Sequence, residues 1–135
     1  MVRDCVKIQE KSLRDFKPDV VVASSFGGAI AIECIKKGYW KGPTILLAPA
    51  QKLVAEKAGQ PHLGQLPAII DFPIHVYHGT SDKIVPCSHS EELGKHPSGL
   101  VKTKIYKGDD HVLSLHINKT ELHKLIHLVY NQKTN

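Results

Sequence analysis

Residues 19–28 read DVVVASSFGG, and the fold follows from how this stretch is read. Three β-branched residues in a row, Val20, Val21 and Val22, suit a strand buried on both faces. An Ala- and Ile-rich stretch of helical composition follows at once, over residues 27–37, and Gly38 is a natural stop after it. A strand that turns sharply into a helix, with serine at the turn, pushes the Ser25 hydroxyl out at the carboxyl end of a sheet. The same turn leaves the Phe26 N–H at a helix N-terminus, facing the space above the serine. Strand and helix approach closely in such a turn, so small residues are expected around it, and Ala23, Gly27 and Gly28 supply them. Ser24 is the poorer candidate, because Val22 and Phe26 would flank it at the same spacing.

Outward from this turn, the chain alternates helix and strand. Apolar residues at Val2, Cys5, Val6, Ile8, Leu13 and Phe16 mark a helix that Lys17-Pro18 ends. Thr44-Ile45-Leu46-Leu47 reads as a second buried strand. Residues 51–72 are less regular, with a short helix in LVAEKAG and a loop in QPHLGQLP that could line the mouth of a site. Residues 74–78, IHVYH, form a third strand and run into Gly79-Thr80-Ser81-Asp82. A short helix is expected over residues 88–93. A fourth strand follows over 101–106, with Val101, Thr103 and Ile105 on one face. Asn118, with Glu121 three residues on, predicts the N-cap of a last helix whose face is Leu122, Leu125, Ile126 and Val129. This order predicts one α/β domain over residues 1–135: a parallel sheet of about four strands with helices on both faces.

Composition narrows the class. At 135 residues, 41% apolar and 23% charged, the chain is that of a single globular domain. No apolar run approaches bilayer length, which speaks against a membrane protein. The charged start, MVRDCVKIQE, lacks an apolar signal core, and three scattered cysteines make no disulfide framework. A reducing, cytoplasmic setting is expected. The net charge of +5 is spread along the sequence without a basic block or interleaved aromatics, so nucleic acid is not the expected partner. Among nine histidines, His75/His78 and His123/His127 are closely spaced, but neither pair carries a zinc signature, and no metal or cofactor is expected.

In a parallel sheet, function collects at the carboxyl ends of the strands. Ser25 follows the first strand, Asp82 the third and His111 the fourth. A serine hydroxyl needs an imidazole to take its proton, and the imidazole needs a carboxylate to fix its tautomer. Asp109 and Asp110, beside His111, are expected to be solvated or to cap their own loop.

Ala23-Ser24-Ser25-Phe26-Gly27 resembles the nucleophile elbow of the α/β-hydrolase family, with alanine where the family usually has glycine. HGTSDKIVP resembles that family's acid loop and GDDHVLS its histidine loop, so the resemblance runs from about Pro18 to the last helix. It implies a serine hydrolase, carboxylesterase-like, that cleaves a small soluble ester, thioester or amide through an acyl-enzyme. In that reading Ser25 is nucleophile, Asp82 acid, His111 base, and the Phe26 N–H an oxyanion donor. The four strands match the last four of the family's usual eight, so relative to the family the chain is truncated at its N-terminal side. The loop that usually supplies a second oxyanion donor, worth about 2.7–4 kcal/mol, has no counterpart. The strand formed by Val20, Val21, Val22 and Ala23, central in the family, becomes an edge, which fits a truncated product or isoform, a fragment of a longer hydrolase, or a short form that pairs into a homodimer through this edge. The competing expectation is a non-catalytic interaction module derived from a hydrolase.

Overall fold

A computed structural model describes residues 1–132. The elements run α1 (Val2–Phe16), β1 (Val21–Ser24), α2 (Phe26–Lys36), β2 (Thr44–Leu47), α3 (Gln51–Ala58), β3 (Ile74–Gly79), α4 (Ser88–Leu93), β4 (Val101–Tyr106) and α5 (Lys119–Asn131). The four strands form one parallel sheet in the order β1-β2-β3-β4. Each strand therefore pairs with its neighbour in sequence, and every carboxyl end lies on the same edge of the sheet.

The two faces bury separate cores. Leu46, Ile74, Val76 and Val101 pack under Ala31, Ile32 and Ile35 of α2. On the other face Ile45, Tyr77 and Tyr106 meet Leu125 and Val129 of α5. Val6 of α1 reaches Ile30 and Cys34 on the far side of α2, so α2 lies buried between α1 and the sheet. This double contact explains why α2 is buried all round, from Gly28 to Ile35. The Asn118 side chain accepts from the Glu121 N–H at 2.8 Å and caps α5 as expected.

Two expectations are corrected. The valine strand is not buried on both faces: β1 alternates half-buried and exposed, and Val22 is 39% exposed. The sheet order is the reason, because β1 has β2 on one side only. The β-branched run reflects strand propensity here, not burial. The strand also begins one residue later than expected and ends on Ser24. Residues 51–72 hold the expected short helix, α3, followed by an irregular stretch that is tied to the rest of the fold. The buried Glu33 of α2 accepts the Gly64 N–H at 2.9 Å, Lys36 donates to the His62 carbonyl at 2.8 Å, and Ile70 and Phe72 join the main core.

Candidate active site

Ser25 lies between β1 and α2 with φ 50° and ψ −120°. A side chain rarely adopts this conformation, and it costs about 1–3 kcal/mol. Three backbone hydrogen bonds hold it. The Ser25 N–H donates to the Leu47 carbonyl at 3.0 Å, and the Ser25 carbonyl accepts from Gly28 at 3.0 Å and Ala50 at 2.9 Å. The turn is thus clamped between the end of β2 and the start of α3. The two glycines after it are not equivalent. A Cβ on Gly28 would stand 2.7 Å from the Pro49 Cβ, whereas one on Gly27 would meet nothing within 4 Å. Close approach therefore requires Gly28, and Gly27 is not needed on steric grounds.

The structure brings Ser25, His111 and Asp82 into one hydrogen-bonded line. His111 Nε2 is 3.0 Å from Ser25 Oγ, and His111 Nδ1 is 2.7 Å from Asp82 Oδ2. The carboxylate fixes the tautomer: Nδ1–H donates to Asp82, which leaves Nε2 to accept the Ser25 proton. The Asp82 side chain is fully buried, and that of His111 is 17% exposed. Burial pushes the Asp82 carboxyl up. The N–H groups of Val85 and Ile84, each donating to Oδ1 at 2.8 Å, and the His111 side chain outweigh it and hold the group below its ordinary value. Among the described residues, nothing accepts from the Phe26 N–H, the first amide of α2.

Two supporting groups were not visible as such in the sequence. His78 is fully buried in β3. Its Nε2 lies 2.9 Å from the Val85 carbonyl and 3.0 Å from Asp82 Oδ2, while Nδ1 accepts from the Ser90 hydroxyl at 2.6 Å. Asp82 Oδ2 therefore meets two imidazoles, His111 from the solvent side and His78 from the core.

Asp109 is the second group, and it is not solvated. It is fully buried and accepts from the N–H groups of Asp110, Leu115 and His116 and from His116 Nδ1, the last at 2.8 Å. Burial raises its pKa, and these donors outweigh that and lower it. Asp109 thereby organises the loop that carries His111. Asp110 caps the same loop, through the Val112 and Ser114 N–H groups.

The paired histidines lie outside this hydrogen-bonded line, apart from His78. His75 meets Gln132 at 2.6 Å, and His123 stacks on His127 with ring centres 4.8 Å apart. Among the described residues, no helix is long and apolar enough to cross a membrane.

Ser25 opens onto a groove of about 960 Å3. Phe26, Ala50, Leu53, Val54 and Ile84 give it apolar walls. The irregular stretch after β2 does therefore line the mouth of the site, through α3.

The parallel sheet, the strained serine turn and the order of the three loops define an α/β-hydrolase fold. Solved structures bear this out. Over 98% of this chain the fold matches the predicted CIB-like hydrolase from Thermoplasma acidophilum, with a TM-score of 0.70 at 17% identity, covering 61% of that protein. The monoacylglycerol lipase of Paleococcus ferrophilus matches 96% of the chain with a TM-score of 0.70 at 13% identity, covering 75% of its own length. Esterase 2 of Thermogutta terrifontis, in a form phosphorylated by paraoxon, matches 94% of the chain with a TM-score of 0.64 at 19% identity. This chain spans 61% of the Thermoplasma and Thermogutta structures. No family model and no curated protein matches the sequence.

Proposed function

We propose that the chain is a serine hydrolase of carboxylesterase type, acting on a small ester, thioester or amide. The observation that carries this reading is the line from Ser25 Oγ through His111 to the buried Asp82, at 3.0 and 2.7 Å, on a serine in a strained turn. Ser25 Oγ attacks the carbonyl carbon and its proton passes to His111 Nε2. Asp82 stabilises the imidazolium that forms. The carbonyl oxygen becomes an oxyanion, within reach of the free Phe26 N–H. Collapse breaks the bond to the leaving group, which takes the proton from His111. A water then repeats the sequence on the acyl-serine, its proton going to His111 and on to Ser25 Oγ. Ester and water become acid and alcohol, and Ser25 is restored.

Labelling with a fluorophosphonate tests the reading. Wild type should label rapidly, and Ser25→Ala and His111→Ala should not. Wild-type labelling no faster than that of Ser25→Ala overturns it.

The competing reading is a non-catalytic module that pairs through β1. It is favoured by the exposure of Val22 on an edge strand with no outer partner among the described residues. A folded protein that self-associates and does not label would establish that reading instead.

A further inference from the structure

We propose that the groove at Ser25 selects esters that carry an anionic group, a carboxylate or phosphate, at the far end of a short apolar spacer. This specificity rests on the hydrolase reading above. The sequence disperses its basic residues, but the fold brings five of its eighteen together. Arg3 and Lys7 of α1, Lys36 and Lys37 at the end of α2, and Lys57 near the end of α3 all line this one groove.

The balance of charge there is one-sided. The groove's acidic lining residue, Glu33, is engaged by Lys36 Nζ at 2.9 Å and by the Gly64 N–H at 2.9 Å. Arg3, Lys7, Lys37 and Lys57 are exposed and make no ion pair with any described residue. Helix dipoles account for lysines at the ends of α2 and α3, since a helix C-terminus attracts cations. They do not account for α1. Arg3 stands in its first turn, where the dipole favours acids, and Lys7 follows one turn later on the groove side. Like charges gathered around a cleft repel one another, and a bound anion relieves that repulsion.

The layout sets the shape of the substrate. α3 begins beside the nucleophile, with the Ala50 N–H on the Ser25 carbonyl at 2.9 Å. Leu53 and Val54 then form an apolar wall, and Lys57 lies about 10 Å along the helix from Ala50. A carbonyl at Ser25 therefore places a spacer on Leu53 and Val54 and its terminal anion among the lysines.

The test compares three p-nitrophenyl esters of equal chain length: the octanoate, the suberate half-ester and the 7-phosphonoheptanoate. At low ionic strength the two anionic esters should show kcat/KM at least tenfold above that of the octanoate, and the larger value tells carboxylate from phosphate. In 1 M salt, where the Debye length is about 3 Å, the preference should fall to within twofold. The double variant Lys37→Glu, Lys57→Glu should invert it. Lys102→Glu, on the exposed side of β4, should leave it unchanged. Equal kcat/KM for all three esters, or a preference indifferent to salt and to the double variant, overturns the proposal. Should none of the esters turn over, the hydrolase reading has failed on its own. Calorimetric binding of suberate monomethyl ester against methyl octanoate to wild-type protein then decides the groove's specificity. Tighter, salt-sensitive binding of the anion supports it, and equal or absent binding of the two refutes it.

Discussion

Gly79→Ala should disable the site without touching any of its three side chains. Gly79 ends β3, three residues before Asp82, and lies directly under the loop that carries His111. The Asp109 carbonyl is drawn onto it by the Ser81 N–H at 2.9 Å. A Cβ on Gly79 would stand 2.3 Å from that carbonyl oxygen, 2.5 Å from its carbon and 3.0 Å from the Asp109 Cβ. All three atoms belong to backbone or to a fully buried side chain, so no rotamer change relieves the clash. The loop must retreat by about 1 Å to reach ordinary contact. Such overpacking costs about 1–3 kcal/mol. A loss of about 2 kcal/mol lowers the melting midpoint by roughly 5–10 °C in a chain of this length. His111 moves with the loop, and its bonds of 2.7 Å to Asp82 and 3.0 Å to Ser25 stretch beyond hydrogen-bond range. Misplacement on this scale costs on the order of 100-fold in rate. The assay is the rate of fluorophosphonate labelling beside a thermal melt by circular dichroism. Labelling within threefold of wild type at an unchanged midpoint would refute the reasoning, for it would mean that the loop can yield without carrying His111 away.

Two further outcomes are expected. Asp82→Asn keeps the shape of the acid but can offer its N–H to His111 Nδ1, which favours the tautomer with the proton on Nε2; labelling should fall by about 10⁴-fold, and a rate near wild type would show that Asp82 does not set the tautomer. Asp82 and Asp109 are both held below the ordinary aspartate value of 3.8 in the folded protein, so they bind protons less readily there than in the unfolded chain. Their stabilisation is complete above that value and is lost as pH falls through the lower folded values. The melting midpoint should therefore drop steeply below about pH 4, and less steeply in Asp109→Asn; parallel curves for the two proteins would count against a role for Asp109.

The meeting of Ser25, Asp82 and His111 was legible because chain order and loop chemistry carry it. Ser25, Asp82 and His111 each follow a strand, and parallel strands place all such loops on one edge of the sheet. The hydrogen-bonded line could then be expected before any coordinate was known. His78 and Asp109 were not legible, because their roles depend on burial. A histidine in IHVYH or an aspartate in GDDH reads the same in solvent or in a core, and only packing puts one behind Asp82 and the other beneath the His111 loop. The requirement for Gly28 over Gly27 is of the same kind, since Pro49 supplies the contact from the link between β2 and α3.

The amino-acid sequence by itself determined the alternation of elements, their parallel order and the three groups that meet at Ser25. These depend on local propensity, periodicity and connection, which act over a few residues. Tertiary structure decided how far the faces of the edge strand are covered, so that the valines of β1 are left half-exposed or exposed. It also decided that five cations far apart in the chain, Arg3, Lys7, Lys36, Lys37 and Lys57, line one groove. Both outcomes depend on contacts between residues far apart in the chain, and charge or hydrophobicity counted along a sequence does not show where such residues meet.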